Sequence, residues 1–194
     1  MDLYLVRHLD IETAAENKCI GQTDVPLSSK GQSAVADMAN FLAELKPECV
    51  ISSDLQRCAV LAKAVGKIVG IESEFSASWR EIYFGRWEER RWRDIEITDS
   101  IALQAWMKDI VRVTPPDGES FERLYSRIGL QVDLLIQRPE QRFVVITHAG
   151  PIRAAICHTI GLPLVKAFSV DITYGGMAHL HYDAGNWTLT ELRN

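Results

Sequence analysis

The stretch Leu3-Tyr4-Leu5-Val6-Arg7-His8 sets the reading of the fold. Four apolar or aromatic residues in a row predict a buried strand. An arginine and a histidine stand where that strand ends. Ligands of an open α/β sheet bind outside the carboxyl ends of its strands. Arg7 and His8 are therefore candidate site residues, and the remaining chain is read for what it brings to them.

Residues 9–27 show no helical or strand period and hold Asn17, Gly21, Asp24 and Pro26, the composition of a long loop. Loops of this length in compact domains usually carry function or are disordered. Ala34, Met38, Phe41, Leu42 and Leu45 have helical spacing, with Ser28 or Ser29 as N-cap and Pro47 as the stop. Cys49 to Ser53 reads as a second strand. Asp54 is expected to cap a helix from Leu55 to Val69 that stops at Gly70. Arg57 falls in its first turn, where a cation opposes the helix dipole and an anionic ligand would compensate. Residues 73–76 allow a short strand, and helices are expected near 90–97 and 100–112. After the break at Pro115-Pro116-Asp117-Gly118 a long amphipathic helix opens at Glu119-Ser120 and ends by Pro139. Arg142 to Thr147 is a third strong strand with His148 directly after it. Ala149-Gly150-Pro151 then starts a helix that runs to Thr159. Residues 169–172, 176–182 and 187–192 read as strands, the last two as a hairpin.

This order predicts an α/β fold, a three-layer α/β/α sandwich whose mostly parallel sheet has an antiparallel edge. One domain is expected over residues 1–194, with a helical insertion at about 79–119 lying over the active face.

The net charge of −5 argues against nucleic-acid binding through a broad basic surface, and leaves room for a local anion pocket built from a few arginines. No apolar run approaches the ~18 residues of a membrane helix. The N-terminus shows no signal-peptide pattern, and Cys19, Cys49, Cys58 and Cys157 are scattered without a C-x-x-C pair. They are read as reduced thiols, and the expected location is the cytoplasm.

Three strand ends carry polar chemistry: Arg7-His8, Ser52-Ser53 leading to Arg57, and Thr147-His148. Two guanidiniums suit phosphate oxygens through their planar donor forks, and amides at a helix start add donors. A neutral imidazole can attack phosphorus, and nearby arginines disfavour its protonated form. A second histidine, best protonated, would stabilise the transferring group. A carboxyl group is needed to protonate the leaving oxygen and later to deprotonate water, and Glu81 is the candidate.

Six segments in order, spread over nearly the whole chain, carry a family resemblance. They are Leu5-Val6-Arg7-His8, Gly21-Gln22-Thr23-Asp24-Val25-Pro26-Leu27, Ser52-Ser53-Asp54-Leu55-Gln56-Arg57, Arg80-Glu81-Ile82-Tyr83-Phe84-Gly85, Gly118-Glu119-Ser120 and Thr147-His148-Ala149-Gly150. On these the chain resembles the histidine phosphatase, or phosphoglycerate mutase-like, superfamily. The resemblance implies His8 as the phosphorylated nucleophile, Arg7, Arg57 and His148 as the phosphate pocket, and Glu81 as the proton donor. It implies no metal and no cofactor. It implies that Ala149, Gly150 and the loop at Gly21 and Gln22 border a small phosphorylated metabolite. Leu9 stands where the family usually has glycine. Asp10-Ile11-Glu12-Thr13-Ala14 departs from its usual polar loop. The shortness of the chain favours a hydrolase over a mutase. Residues 19–27, 84–92 and 115–120 look like the α-ribazole phosphatase branch of cobalamin assembly. A broad-specificity or sugar-bisphosphate phosphatase and a phosphoglycerate mutase are the alternatives. A non-catalytic phospho-ligand binding module is the alternative of a different class.

Other clusters have plainer readings. His179 and His181 alternate as metal ligands could, but an ordinary strand face explains them. Trp79, Trp87, Trp92 and Trp106 suit core packing more than stacking on an aromatic substrate. Arg90, Arg91 and Arg93 fit a solvated helix face or a second anion site equally. Glu88 and Glu89 could be surface charges or replace Glu81. The hairpin edge allows a homodimer.

Overall fold

A computed structural model describes residues 1–194, the side chain of residue 15 excepted. Six strands form one sheet: β1 Asp2–Arg7, β2 Cys49–Ser52, β3 Glu74–Phe75, β4 Arg142–Thr147, β5 Met177–Asp183 and β6 Asn186–Arg193. Their order across the sheet is β3-β2-β4-β1-β5-β6. The first four in that order are parallel, and β5 runs antiparallel to both its neighbours, β1 and β6, so the mixed sheet with an antiparallel edge is as expected.

Side-chain alternation divides the core between the two faces of the sheet. Leu3, Leu5, Phe143 and Val145 pack against α6 (Phe121–Ile136) and α7 (Ala149–Ile160) through Leu124, Ile128, Ile152 and Ile156. Val6, Val50, Val144 and Ile146 pack on the other face against α2 (Val35–Glu44) and α3 (Gln56–Val69). Burial on both faces explains why β4 is continuously apolar.

The structure corrects several local expectations. The helix after Ser28 is two pieces, α1 (Ser29–Ser33) and α2, parted at Ala34, with Ser28 Oγ accepting from Gly31 N–H at 3.0 Å. Asp54 does not cap α3, because its carboxylate is taken by Arg80 at 2.6 and 2.5 Å. Asp24 caps instead, accepting the Gln56 N–H at 2.8 Å. Residues 169–172 are not a strand. Ser169 ends a 3₁₀ helix that begins at Leu164, and the carbonyls of Val170 and Ile172 are occupied by Arg153 and Arg7 rather than by a neighbouring strand. The segment from 92 to 108 contains α4 (Trp92–Thr98) and α5 (Ser100–Lys108), both shorter than expected, packed on a small core of Cys19, Trp87, Ile95 and Leu103.

Candidate active site

Parallel register of β1 on β4 sets Arg7 opposite Thr147, so the two Arg-His and Thr-His strand ends emerge side by side. The His8 N–H continues the ladder to the Thr147 carbonyl at 2.9 Å, and Ser53 N–H does the same to Ile146 from the other flank. The His8 and His148 rings lie 5.0 Å apart. Both are buried, with 4% and 0% of their surface exposed.

His8 Nδ1 lies 2.8 Å from the Leu9 carbonyl. A carbonyl can only accept, so Nδ1 carries the proton and Nε2 keeps its lone pair. The residue after the histidine thus acts through its backbone. Its leucine side chain turns into the core beside Val6 and Val35. Burial pushes the His8 pKa well below its ordinary value, Arg57 adds to this and Arg7 adds less, against the opposing pull of the Leu9 hydrogen bond. Arg57 therefore outweighs the sequence neighbour Arg7 in keeping His8 neutral. His148 is also pushed well down, by burial first and then by Arg57, His8 and Arg7. With no anion in the cavity His148 is thus held toward its neutral form, and the protonated form expected of it needs a neighbouring negative charge. Its Nε2 lies 2.9 Å from Ser53 Oγ and 3.5 Å from Cys58 Sγ.

The guanidiniums are fixed by carbonyls. Arg57, 1% exposed, donates from Nη1 to Thr23 O at 2.7 Å and from Nη2 to Gly21 O at 2.5 Å. Arg7 donates to Ile172 O at 2.6 Å, and its Cζ sits 3.9 Å from the centre of the Tyr174 ring. Neither Nε atom has a protein partner among the described residues, which leaves donors for a ligand.

Glu81 is held from two sides. Its Oε1 accepts Ile82 N–H at 2.9 Å and its Oε2 accepts Gly150 N–H at 3.1 Å. One of the amides expected to face a phosphate is thus spent on the carboxylate. Arg127 of α6 steadies the segment before Glu81, donating to Ser78 O and Arg80 O while forking onto Glu119.

Arg7, His8, Arg57, Glu81 and His148 line a cavity of about 430 Å³, as do Ala149 and Gly150. Gly21 and Gln22 are not among its lining residues. They stand behind the wall, where the Gly21 carbonyl holds Arg57 and Gln22 Nε2 donates to the Glu81 carbonyl at 3.0 Å. Arg153 is a lining guanidinium that sequence reasoning missed. Its Nε donates to Val170 O at 2.8 Å, Phe168 lies beside its Cζ at 5.5 Å, and its Nη atoms meet no protein acceptor among the described residues. The available signal was its place three residues after Gly150 on one helix face. Asn17 and Tyr174 also line the cavity unforeseen.

The tryptophans divide. Trp79 and Trp87 are core, whereas Trp92 and Trp106 stack at 5.8 Å and line the cavity with Phe84 across their edges. His179 and His181 both reach Asp2 Oδ1, at 2.9 and 2.8 Å. Arg90 is taken by Asp99 and Thr98.

A profile of the histidine phosphatase superfamily (branch 1) matches residues 3–194. The adenosylcobalamin/alpha-ribazole phosphatase of Escherichia coli K12 is 24% identical over 99% of this chain and 90% of its own length. A probable phosphoglycerate mutase GpmB of Shigella boydii is 26% identical over 96% of this chain and 87% of its own. Among solved structures, an alpha-ribazole phosphatase from Shigella flexneri superposes with a TM-score of 0.93 at 23% identity, covering 100% of this chain and 96% of that one. A mycobacterial glucosyl-3-phosphoglycerate phosphatase solved with VO3 gives 0.89 at 25%, covering 100% and 98%. Arg7, His8, Arg57, Glu81 and His148, brought together here around one cavity, lie within the matched span. With its profile match running from the first strand to the last residue, this chain is an enzyme that belongs to the histidine phosphatase superfamily.

Proposed function

We propose that this enzyme hydrolyses phosphomonoesters through a phosphohistidine on His8, and that α-ribazole 5′-phosphate of cobalamin assembly is its cytoplasmic substrate. The observation that carries the chemistry is the fixed tautomer of His8, whose Nε2 lone pair is free because Leu9 O holds Nδ1–H.

In the first step Nε2 bonds to phosphorus and the bond from phosphorus to the alcohol oxygen breaks. That oxygen takes a proton from Glu81. In the second step the Glu81 carboxylate removes a proton from water. The water oxygen bonds to phosphorus, the phosphorus–nitrogen bond breaks, and its electron pair returns to His8. Arg7 and Arg57 balance the phosphoryl charge. His148, neutral alone, takes up a proton as the dianion arrives, because a nearby negative charge favours its charged form.

The leaving-group side supports the substrate. Trp92, Trp106 and Phe84 give the lining an aromatic wall suited to a benzimidazole. Thr13 Oγ1 and Trp106 Nε1 are buried without a protein partner among the described residues, and both residues belong to the cavity lining. The name of the Escherichia coli relative points the same way, and that of the Shigella boydii relative points to a mutase. One observation favours a second reading: Arg153 has no anionic partner among the described residues and would suit a carboxylate on a phosphoglycerate-type leaving group.

The deciding experiment compares kcat/KM for α-ribazole 5′-phosphate, 3-phosphoglycerate, fructose bisphosphate and p-nitrophenyl phosphate. A clear preference for the first is expected. A preference for phosphoglycerate, or phosphoryl transfer between phosphoglycerate positions, would replace the substrate reading and keep the chemistry.

A further inference from the structure

Glu88 is the most heavily hydrogen-bonded carboxylate near the site, and no step of the mechanism uses it. Its Oε1 accepts Gln22 N–H at 2.9 Å and Phe84 N–H at 3.0 Å. Its Oε2 accepts Gly21 N–H at 3.2 Å, Thr23 N–H at 3.0 Å and the Thr23 hydroxyl at 2.6 Å. Its salt-bridge partners among the described residues are none, so peptide N–H groups and one hydroxyl carry the stabilisation of a partly buried charge.

The other side of the same three residues holds Arg57, through the carbonyls of Gly21 and Thr23. The peptide group between Gly21 and Gln22 is therefore shared. Its carbonyl oxygen meets the Arg57 guanidinium at 2.5 Å, and its N–H meets the Glu88 carboxylate at 2.9 Å. One peptide dipole lies between a cation and an anion with each end on the matching charge, which strengthens both hydrogen bonds. Residue 21 must be glycine for this approach, since a Cβ there would stand 2.2 Å from Ile82 O and 2.3 Å from Glu88 Oε1. Gln22 links the same loop to the Glu81 carbonyl.

We propose that Glu88 is a positioning residue: by fixing the N–H side of residues 21–23 it sets the carbonyls that aim the Arg57 guanidinium. The proposal rests on Arg57 as a phosphate ligand only for its effect on binding, and its geometric part stands apart from that reading.

The test uses the full chain with ¹⁵N-labelled arginine and compares wild type with Glu88→Gln, which keeps size but presents an amide N–H₂ to a ring of donors. In wild type the Arg57 Nη signals should show hindered rotation. In Glu88→Gln they should broaden or average while circular dichroism stays native. Inorganic phosphate affinity should fall by ~10-fold in Glu88→Gln, and by less than ~2-fold when the substitution is made in an Arg57→Met background. Unchanged Arg57 signals in a folded Glu88→Gln protein would overturn the proposal, as would an equal loss of affinity in both backgrounds. If wild type binds no phosphate, the phosphatase reading fails and the Arg57 signals alone decide. If Glu88→Gln does not fold, Thr23→Val, which removes only the hydroxyl donor, should give the same spectral change in smaller measure. Its absence there would equally overturn the proposal.

Discussion

Gly150 donates its N–H to Glu81 Oε2 at 3.1 Å, and a Cβ on residue 150 would lie 2.1 Å from Glu81 Oε1. One helix start thus seats both His148 and the carboxylate across the cavity. Gly150→Ala should push that carboxylate out of place and lower kcat by ~100-fold, since small misplacements of reacting groups are costly. Steady-state kinetics with an alkyl phosphate such as glycerol phosphate, whose leaving oxygen needs the proton, measures this. Wild-type kcat in a protein that has admitted the methyl group would remove Glu81 from the chemistry.

Glu81→Gln removes the proton donor and keeps the shape. Turnover should fall by ~10²–10⁴-fold for alkyl phosphates, whose leaving oxygens need the proton, and much less for p-nitrophenyl phosphate. A loss independent of the leaving group would point to a structural role.

Acid should destabilise the protein through its two buried histidines. Both have pKa values held well below the ~6.5 of an unfolded histidine. Their contribution to stability is complete above about pH 6.5 and is lost as pH falls toward the folded values. Each histidine contributes a slope of up to ~1.4 kcal/mol per pH unit in that window. Arg7 and Arg57 face both rings, and Cys58 faces His148. Urea unfolding of His148→Gln should show a shallower decline than wild type below about pH 6.5. Equal slopes would mean that His148 is not neutral in the folded protein.

How far the sequence could be read follows from where each signal lies. The strand ends at His8 and His148 were legible because an apolar run followed by a polar pair is local, and parallel register then brings them together. Glu81 was legible through the quoted motif, although Glu88 and Glu89 stood as rivals. Glu88 proves to be a loop anchor, a role that depends on N–H groups some 65 positions away and leaves no local pattern. Arg153 lies inside a helix whose extent was legible, and only its spacing of three residues from Gly150 distinguishes it from a surface arginine. The strand expected at 169–172 failed because side chains of Arg7 and Arg153 claim its carbonyls, a tertiary effect that β-propensity does not contain.

The aromatic wall predicts a split by leaving group. Trp106→Ala should raise KM for α-ribazole 5′-phosphate by ~5–50-fold, the worth of one aromatic stacking contact with its burial. KM for glycerol phosphate should move much less. Equal changes for both substrates would show that Trp106 supports the cavity without touching the leaving group.

The most direct test of the central claim is to trap the intermediate. Rapid quenching with ³²P-labelled substrate should give protein-bound phosphate that is acid-labile and base-stable, and peptide mapping should place it on His8. His8→Asn should carry no label and turn over no substrate. Label on another residue, or wild-type turnover in His8→Asn, would contradict the account.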